Sequence, residues 1–251
     1  MDLMQAGALG LVGVAAGWIN TMAGGGSLLT VPMMLFFGLP GPVANATNRI
    51  GVITQNVAAV GAFRAKGFAD FRLSATLALA ALPGALVGAW VGAGLEGEAF
   101  ERTVALIMAG VLVLMLTGLD KAASNPVDGE GRPRNLALGH LLMAGVGFWG
   151  GFIQIGVGFM VMPVLHRVMG FDLVRVNMHK VAIVLAFTLA ALVVFVLAGV
   201  EIAWLAGLAL AAGNALGGWL GAHTTIAKGE VWIRRVFYAA IIGLIVKLVF
   251  F

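Results

Sequence analysis

The two halves of the chain contain the same glycine-rich apolar stretch. Residues 84–93 read GALVGAWVGA and residues 213–222 read GNALGGWLGA, so the glycines at the first, fifth and ninth positions coincide, as do the tryptophan and the last alanine. A self-match at a fixed distance constrains the architecture more than any single motif. In a membrane chain it is typical of a transporter built from two copies of one unit, with the substrate bound between them.

The composition is that of a membrane protein. Of 251 residues, 61% are hydrophobic and 10% are charged, and the mean hydropathy is +1.03. A soluble domain carries about 25% charged residues, so no separate soluble domain is expected. The pI is near 10.0, but the basic residues lie in short loops between apolar segments. Membrane orientation therefore explains them better than nucleic-acid binding.

Several kinds of chemistry are excluded by residue types. The chain has no cysteine, which excludes disulfides, thiolate metal sites and thiol redox chemistry. No spacing resembles a metal site or a nucleophile beside a base. We therefore expect no enzyme, no cofactor and no metal.

A helix needs about 20 apolar residues to cross a bilayer, and ten apolar segments occur here. The second and seventh are short, and each follows a glycine-rich break at residues 24–26 or 156–158. The segments are Leu3–Met22, Leu28–Gly38, Ile50–Phe63, Leu73–Gly94, Thr103–Leu119, Leu136–Gly151, Phe159–Leu165, Val181–Ala198, Ile202–Ala222 and Val236–Phe251.

The repeat extends over both halves. Pro32 matches Pro163, residues 48–50 match 179–181, and residues 100–102 match 232–234. We predict a first repeat at 1–119, a cytoplasmic linker at 120–135 and a second repeat at 136–251. Each repeat has five segments, an odd number, so the second copy should enter the membrane upside down. The predicted fold is an all-α polytopic membrane protein with two inverted repeats and glycine-broken short helices.

Loop charges support this topology. With ten crossings, four basic clusters fall on one side, and Lys and Arg mark the cytoplasmic side. Both termini would then be outside the cytoplasm. Each short segment either crosses the membrane fully or forms a re-entrant hairpin with its neighbour. Both arrangements place the loops on the same sides, so the loop charges do not distinguish them. The clusters are Arg64, Lys66 and Arg72; Lys121, Arg132 and Arg134; Arg167, Arg175 and Lys180; and Lys228, Arg234 and Arg235.

The glycine breaks are the strongest candidate site. Non-helical backbone at membrane depth persists only where it is buried in protein or lines a wet cavity. The helix that begins near Ser27 would offer free amides and a positive dipole end to an anion. The alternative is close helix packing with no ligand. The candidate substrate-binding residues are Asn20, Thr21, Gly24, Gly25, Gly26 and Ser27 in the first half, and Gln154, Gly156 and Gly158 in the second.

A second set of candidates contains the two basic residues that open apolar segments. Ionisable residues in a span are functional candidates, whereas the alternative for Arg49 and Lys180 is snorkelling to the headgroups. His179 is either a proton relay or a satisfied polar residue, and Asp172 should cap a helix. This set comprises Thr47, Asn48, Arg49, His179 and Lys180.

At these residues the chain resembles the TauE/SafE sulfite exporter family of bacterial membrane proteins. The resemblance rests on residues 17–32 (GWINTMAGGGSLLTVP), 38–40 (GLP) and 46–49 (ATNR). The second half matches more loosely, with QIGVG at 154–158 where relatives carry a fuller glycine run. The His179-Lys180 pair also departs from the small and hydroxyl residues common there. The resemblance implies export of sulfite or organosulfonates from the bacterial cell through the inner membrane.

Together these observations predict a secondary transporter that exports a small anion by alternating access between two repeats. The expected partners are this anion and the lipid bilayer, with no nucleic acid. Coupling to protons through His179, coupling to sodium through backbone carbonyls, and no coupling all remain open, as does the oligomeric state. The alternatives are an anion channel and a membrane scaffold that transports nothing.

Overall fold

The computed structural model describes residues 1–68, 70–116 and 133–250, and no β-strand occurs in these ranges. The predicted all-α polytopic fold is confirmed. The predicted linker at 120–135 lies outside the described residues except for its last three. The helices are α1 (Leu3–Ala23), α2 (Ser27–Phe36), α3 (Gly41–Ala65), α4 (Phe71–Ala93), α5 (Gly97–Leu116), α6 (Leu136–Phe152), α7 (Val157–Pro163), α8 (Leu173–Leu197) and α9 (Trp204–Phe250).

Four of the described helical stretches are long and apolar enough to span a bilayer. They are Leu3–Ala23, Phe71–Ala93, Leu173–Leu197 and Trp204–Gly229. The backbone leaves the helical conformation at Gly229, which divides α9 close to the predicted boundary between the ninth and tenth segments. A short π-helical turn, Val164–Val168, continues α7. The predicted helix cap at Asp172 is confirmed, since its carboxylate accepts hydrogen bonds from the amides of Val174 and Arg175.

The starts of α3 and α8 differ from the sequence prediction. The apolar segments were expected to begin at Ile50 and Val181, but α3 begins at Gly41 and α8 at Leu173. Arg49 and Lys180 therefore lie within their helices and do not open them, and Lys180 is not part of the turn that was predicted to be cytoplasmic. Hydropathy places the start too late because the first turns carry polar side chains that neighbouring helices cover.

The helices of the two halves pack reciprocally. The first helix of each half lies along the fourth helix of the other, because α1 packs on α9 and α6 packs on α4. The corresponding helices α3 and α8 run antiparallel: the start of α3 meets the end of α8 around Ala46 and Phe195, and the end of α3 meets the start of α8 around Phe63 and Met178. An inverted relation between the complete halves remains a prediction.

The repeated glycines lie at these contacts. A Cβ added at Gly84, Gly88 or Gly92 of α4 would come within 2.2 Å of a backbone oxygen of α6. The corresponding Gly213 and Gly217 of α9 face the backbone of α1 equally closely. Small residues let helix backbones approach in a membrane, where packing replaces the hydrophobic effect as the main attraction between helices. The self-match in the sequence is thus a helix-packing motif.

A matched pair on α6 tests this packing. Gly147→Ala places a Cβ 2.0 Å from the Ala81 carbonyl oxygen, whereas a Cβ at Gly145 would meet no atom of the described residues within 4 Å. Overpacking costs about 1–3 kcal/mol, so Gly147→Ala should lower the melting temperature in detergent by roughly 2–12 °C. Gly145→Ala should leave it unchanged or raise it, since alanine favours the helix by about 1 kcal/mol. Equal melting temperatures for the two variants would contradict close packing at Gly147.

Most basic residues of the described ranges lie at one end of the bundle, together with Asp70 and Asp172, whereas Arg102 lies at the other end. The basic residues at the turns beside the end of α3 and the start of α8 share one end, namely Arg64, Lys66, Arg72, Arg134, Arg167, Arg175 and Lys228. Lys121 and Arg132 lie outside the described residues. The other end holds a cavity of about 570 Å³ lined by Glu96, Glu101 and Glu201. The assignment of the basic end to the cytoplasm stays a prediction.

Candidate functional site

The two glycine breaks meet inside the protein. Gly24 ends α1 with φ of +88°, and Gly156 precedes α7 with φ of +69°. A Cβ added at Gly24 would lie 2.3 Å from the Cα of Gly158, and one added at Gly158 would lie 2.1 Å from the Cα of Gly24. The backbones of the two halves therefore touch at this point, and only glycine fits on either side.

The helix after the first break begins at Ser27, as predicted. The amides of Gly25, Gly26 and Ser27 have no hydrogen-bond acceptor among the described residues. Beside them, the Asn48 side chain donates to Ser27 Oγ at 3.1 Å and accepts from Thr30 Oγ1 at 2.6 Å. Asn48 thus ties α3 to the amide end of α2, where the partial positive charge of the helix lies.

Each break also carries a buried polar atom without a partner. Thr21 Oγ1 and Gln154 Oε1 have no hydrogen-bond partner within residues 1–68, 70–116 and 133–250, although Gln154 Nε2 donates to Thr188 Oγ1 at 2.7 Å. Asn20 Nδ2 donates to Gln55 Oε1 at 3.0 Å. Buried polar groups are nearly always paired, so an unpaired one requires an explanation such as a ligand or water.

Arg49 lies at the end of α6, in the other half of the chain. Its guanidinium donates to the carbonyl of Gly150 at 3.0 Å and to that of Gly151. Asn45, one turn earlier, donates to the carbonyl of Phe152 at 2.8 Å. The Arg49 guanidinium also stacks over the Phe195 ring, 4.6 Å from its centroid. Arg49 is fully buried, so it does not snorkel to the headgroups.

Lys180 has the corresponding place at the end of α1. Its ammonium donates to the carbonyls of Asn20 at 3.1 Å and Thr21 at 2.8 Å. It also donates to Asn177 Oδ1 at 2.7 Å, and Asn177 Nδ2 donates to the carbonyl of Met22 at 3.1 Å. An ammonium has three donors, and all three are used. Lys180 is buried as well.

Comparison with known proteins decides the family. The model of the sulfite exporter TauE/SafE family matches residues 9–248. The chain belongs to this family. The match covers both glycine breaks and both buried basic residues, so the resemblance stated from residues 17–49 extends to the second half. No solved structure matches the chain.

Curated relatives of this TauE/SafE chain carry transporter names. A probable membrane transporter protein of Sinorhizobium is 25% identical, over 93% of this chain and 88% of its own length. One of Haemophilus influenzae is 26% identical, over 89% and 86%. One of Xylella fastidiosa is 30% identical, over 65% and 62%. The chain is therefore a multi-pass membrane protein of a transporter family, not of an enzyme family, and the bacterial inner membrane is consistent with these relatives.

Two predicted site residues of this TauE/SafE protein lie away from the breaks. Thr47 Oγ1 accepts a hydrogen bond from the amide of Ala203, before α9, at 3.0 Å. His179 Nδ1 lies 2.9 Å from Ser74 Oγ, and its ring packs on Phe171. His179 also lines a cavity of about 480 Å³ at the basic end, together with Asp70 and Arg175.

Sequence analysis missed the asparagines that act beside the basic residues. Asn45 precedes Arg49 by four residues and Asn177 precedes Lys180 by three, and both are fully buried. Residues three or four apart share a helix face. This spacing would have revealed both pairs if the helices had been predicted to start at Gly41 and Leu173.

Proposed function

We propose that this protein carries a small anion across the membrane and binds it where the two glycine breaks meet. The observation that carries the proposal is the direct contact of Gly24 with Gly158, beside the unpaired amides of α2. Thr21 Oγ1 and Gln154 Oε1 add one unpaired polar atom from each half. These groups suit a small ligand, because the glycines add no side chains of their own and the surrounding residues are buried.

Positive charge near the breaks favours an anion. Arg49 and Lys180 are buried next to the ends of α6 and α1, and buried charges act more strongly than exposed ones because water screens them less. The apolar segments carry no Asp or Glu that would attract a cation. The candidate site therefore comprises the break residues Asn20, Thr21, Gly24, Gly25, Gly26, Ser27, Gln154, Gly156 and Gly158, with Asn48, Arg49 and Lys180 around them.

Alternating access is the proposed mechanism. The cavities at the acidic and basic ends share no lining residue, and the breaks, anchored by Arg49 and Lys180, lie between them. A closed centre between two cavities supports a carrier better than an open pore. A scaffold that transports nothing would not need polar residues deep in the membrane, whereas a carrier uses them to bind its substrate. The family description supports sulfite or a short organosulfonate as cargo, moved outwards. His179 in the basic-end cavity is the candidate for proton coupling.

Flux into liposomes that contain the purified protein tests this function. Sulfite, sulfate, short sulfonates and carboxylates are offered in turn, with and without the same anion inside. We expect saturable uptake of at least one anion, accelerated by that anion on the opposite side. Flux that neither saturates nor responds to internal anion would indicate a channel. A complete lack of flux for every anion would refute the proposal.

A further inference from the structure

The buried basic residue of each half contacts the helix end that precedes the glycine break of the other half. The last carbonyls of a helix lack intrahelical partners, and here they are met by side chains from the opposite half. Asn45 and Arg49 of α3 bind the carbonyls of Gly150, Gly151 and Phe152 at the end of α6. Asn177 and Lys180 of α8 bind those of Asn20, Thr21 and Met22 at the end of α1. Each pair covers three consecutive carbonyls.

We propose that Asn45 with Arg49, and Asn177 with Lys180, are positioning residues that hold each glycine break from the opposite half. Lys180 has no donor left for an anion, because its three hydrogens bind protein oxygens. Arg49 uses three of its five N–H donors on Gly150, Gly151 and Asn45, while its buried Nε has no hydrogen-bond partner among the described residues. A cation at the carbonyl end of a helix is also stabilised by the helix dipole.

The crossed connection has a functional consequence. Any movement of α3 relative to α6, or of α8 relative to α1, pulls on the break of the other half. The backbone geometry of both breaks therefore depends on the relative position of the two halves. Alternating access changes this relative position. This inference rests on the proposed function only in treating the breaks as the working site.

Hydrogen exchange of the purified protein tests the crossed connection without any substrate. Lys180→Met should accelerate amide exchange in the peptide 17–28 and leave 148–159 nearly unchanged, and Arg49→Met should do the reverse. Each lost hydrogen bond from a charged group predicts roughly ten- to a hundredfold faster exchange. The conservative variants Lys180→Arg and Arg49→Lys should restore most of the protection, because they keep charged donors at the carbonyls.

Asn177→Ala and Asn45→Ala provide the same test without removing a buried charge, should the methionine variants fail to fold. Each should give the same crossed pattern more weakly. Loosening of both breaks by one variant, loosening of the break in the same half, or no change would overturn the proposal.

In flux assays the methionine variants should lower the maximal rate more than they raise the half-saturating concentration. A variant that changes only the half-saturating concentration would identify a substrate ligand. The exchange result is independent of the flux result, so this inference and the proposed function can fail separately.

Discussion

Gly24→Ala should abolish transport, whereas Gly38→Ala should not. Both glycines follow a helix with nearly the same left-handed backbone, φ of +88° and +83°. In each case a Cβ costs about 1–2 kcal/mol in this conformation. Of these two, Gly24 is the one whose Cβ also collides with the other half, 2.3 Å from the Cα of Gly158, while Gly38 has no described neighbour within 4 Å. A displacement of about 1 Å at a working site can cost roughly a hundredfold in rate.

The comparison is made by flux in liposomes and by melting temperature in detergent. Gly38→Ala reports the backbone strain alone, so the difference between the two variants measures the contact between the breaks. Comparable transport by both variants would show that the breaks need not touch for function.

Thr21→Val should weaken anion transport without destabilising the fold. Valine has nearly the shape of threonine, and the hydroxyl that is lost has no hydrogen-bond partner in the described part of the chain. A hydrogen bond to a charged ligand is worth about 1.5–3 kcal/mol, so the half-saturating concentration should rise roughly ten- to a hundredfold. The melting temperature without ligand should stay the same or rise, because an unpaired buried hydroxyl is removed.

Thr225→Val is the matched control. Thr225 Oγ1 is also buried and has no hydrogen-bond partner among the residues that the structure describes, but it belongs to α9 and to neither break. Its removal should have the same small effect on stability and no effect on transport. An equal loss of transport in both variants would mean that Thr21 acts through packing and not through contact with the anion.

The fold was largely predictable because its signals are local. Apolar length predicted the spans, and the repeated glycines reported close helix contacts on α4 and α9. The starts of α3 and α8 were not predictable from hydropathy. Asn45, Thr47, Asn48 and Arg49 precede the apolar segment that the sequence prediction starts at Ile50, but all four are fully buried by other helices. Burial by tertiary contacts overrides local polarity at these positions.

The candidate site was predictable in its residues but not in their connections. The sequence singled out the breaks and both basic residues, yet it did not indicate which helix end each basic residue contacts. In the structure Arg49 binds the carbonyls of Gly150 and Gly151, and Lys180 binds those of Asn20 and Thr21. Contacts between residues more than 100 positions apart depend on how the halves interlock, which a single sequence does not reveal.

Charge selectivity at the breaks is tested most directly by offering two solutes that differ in little but charge. Isethionate and choline share a hydroxyethyl arm, and each ends in a tetrahedral head, a sulfonate in one and a quaternary ammonium in the other. Uptake of each is measured in liposomes that contain the protein, relative to protein-free liposomes. The proposed anion site predicts saturable, protein-dependent uptake of isethionate and none of choline. Uptake of choline without isethionate would contradict it.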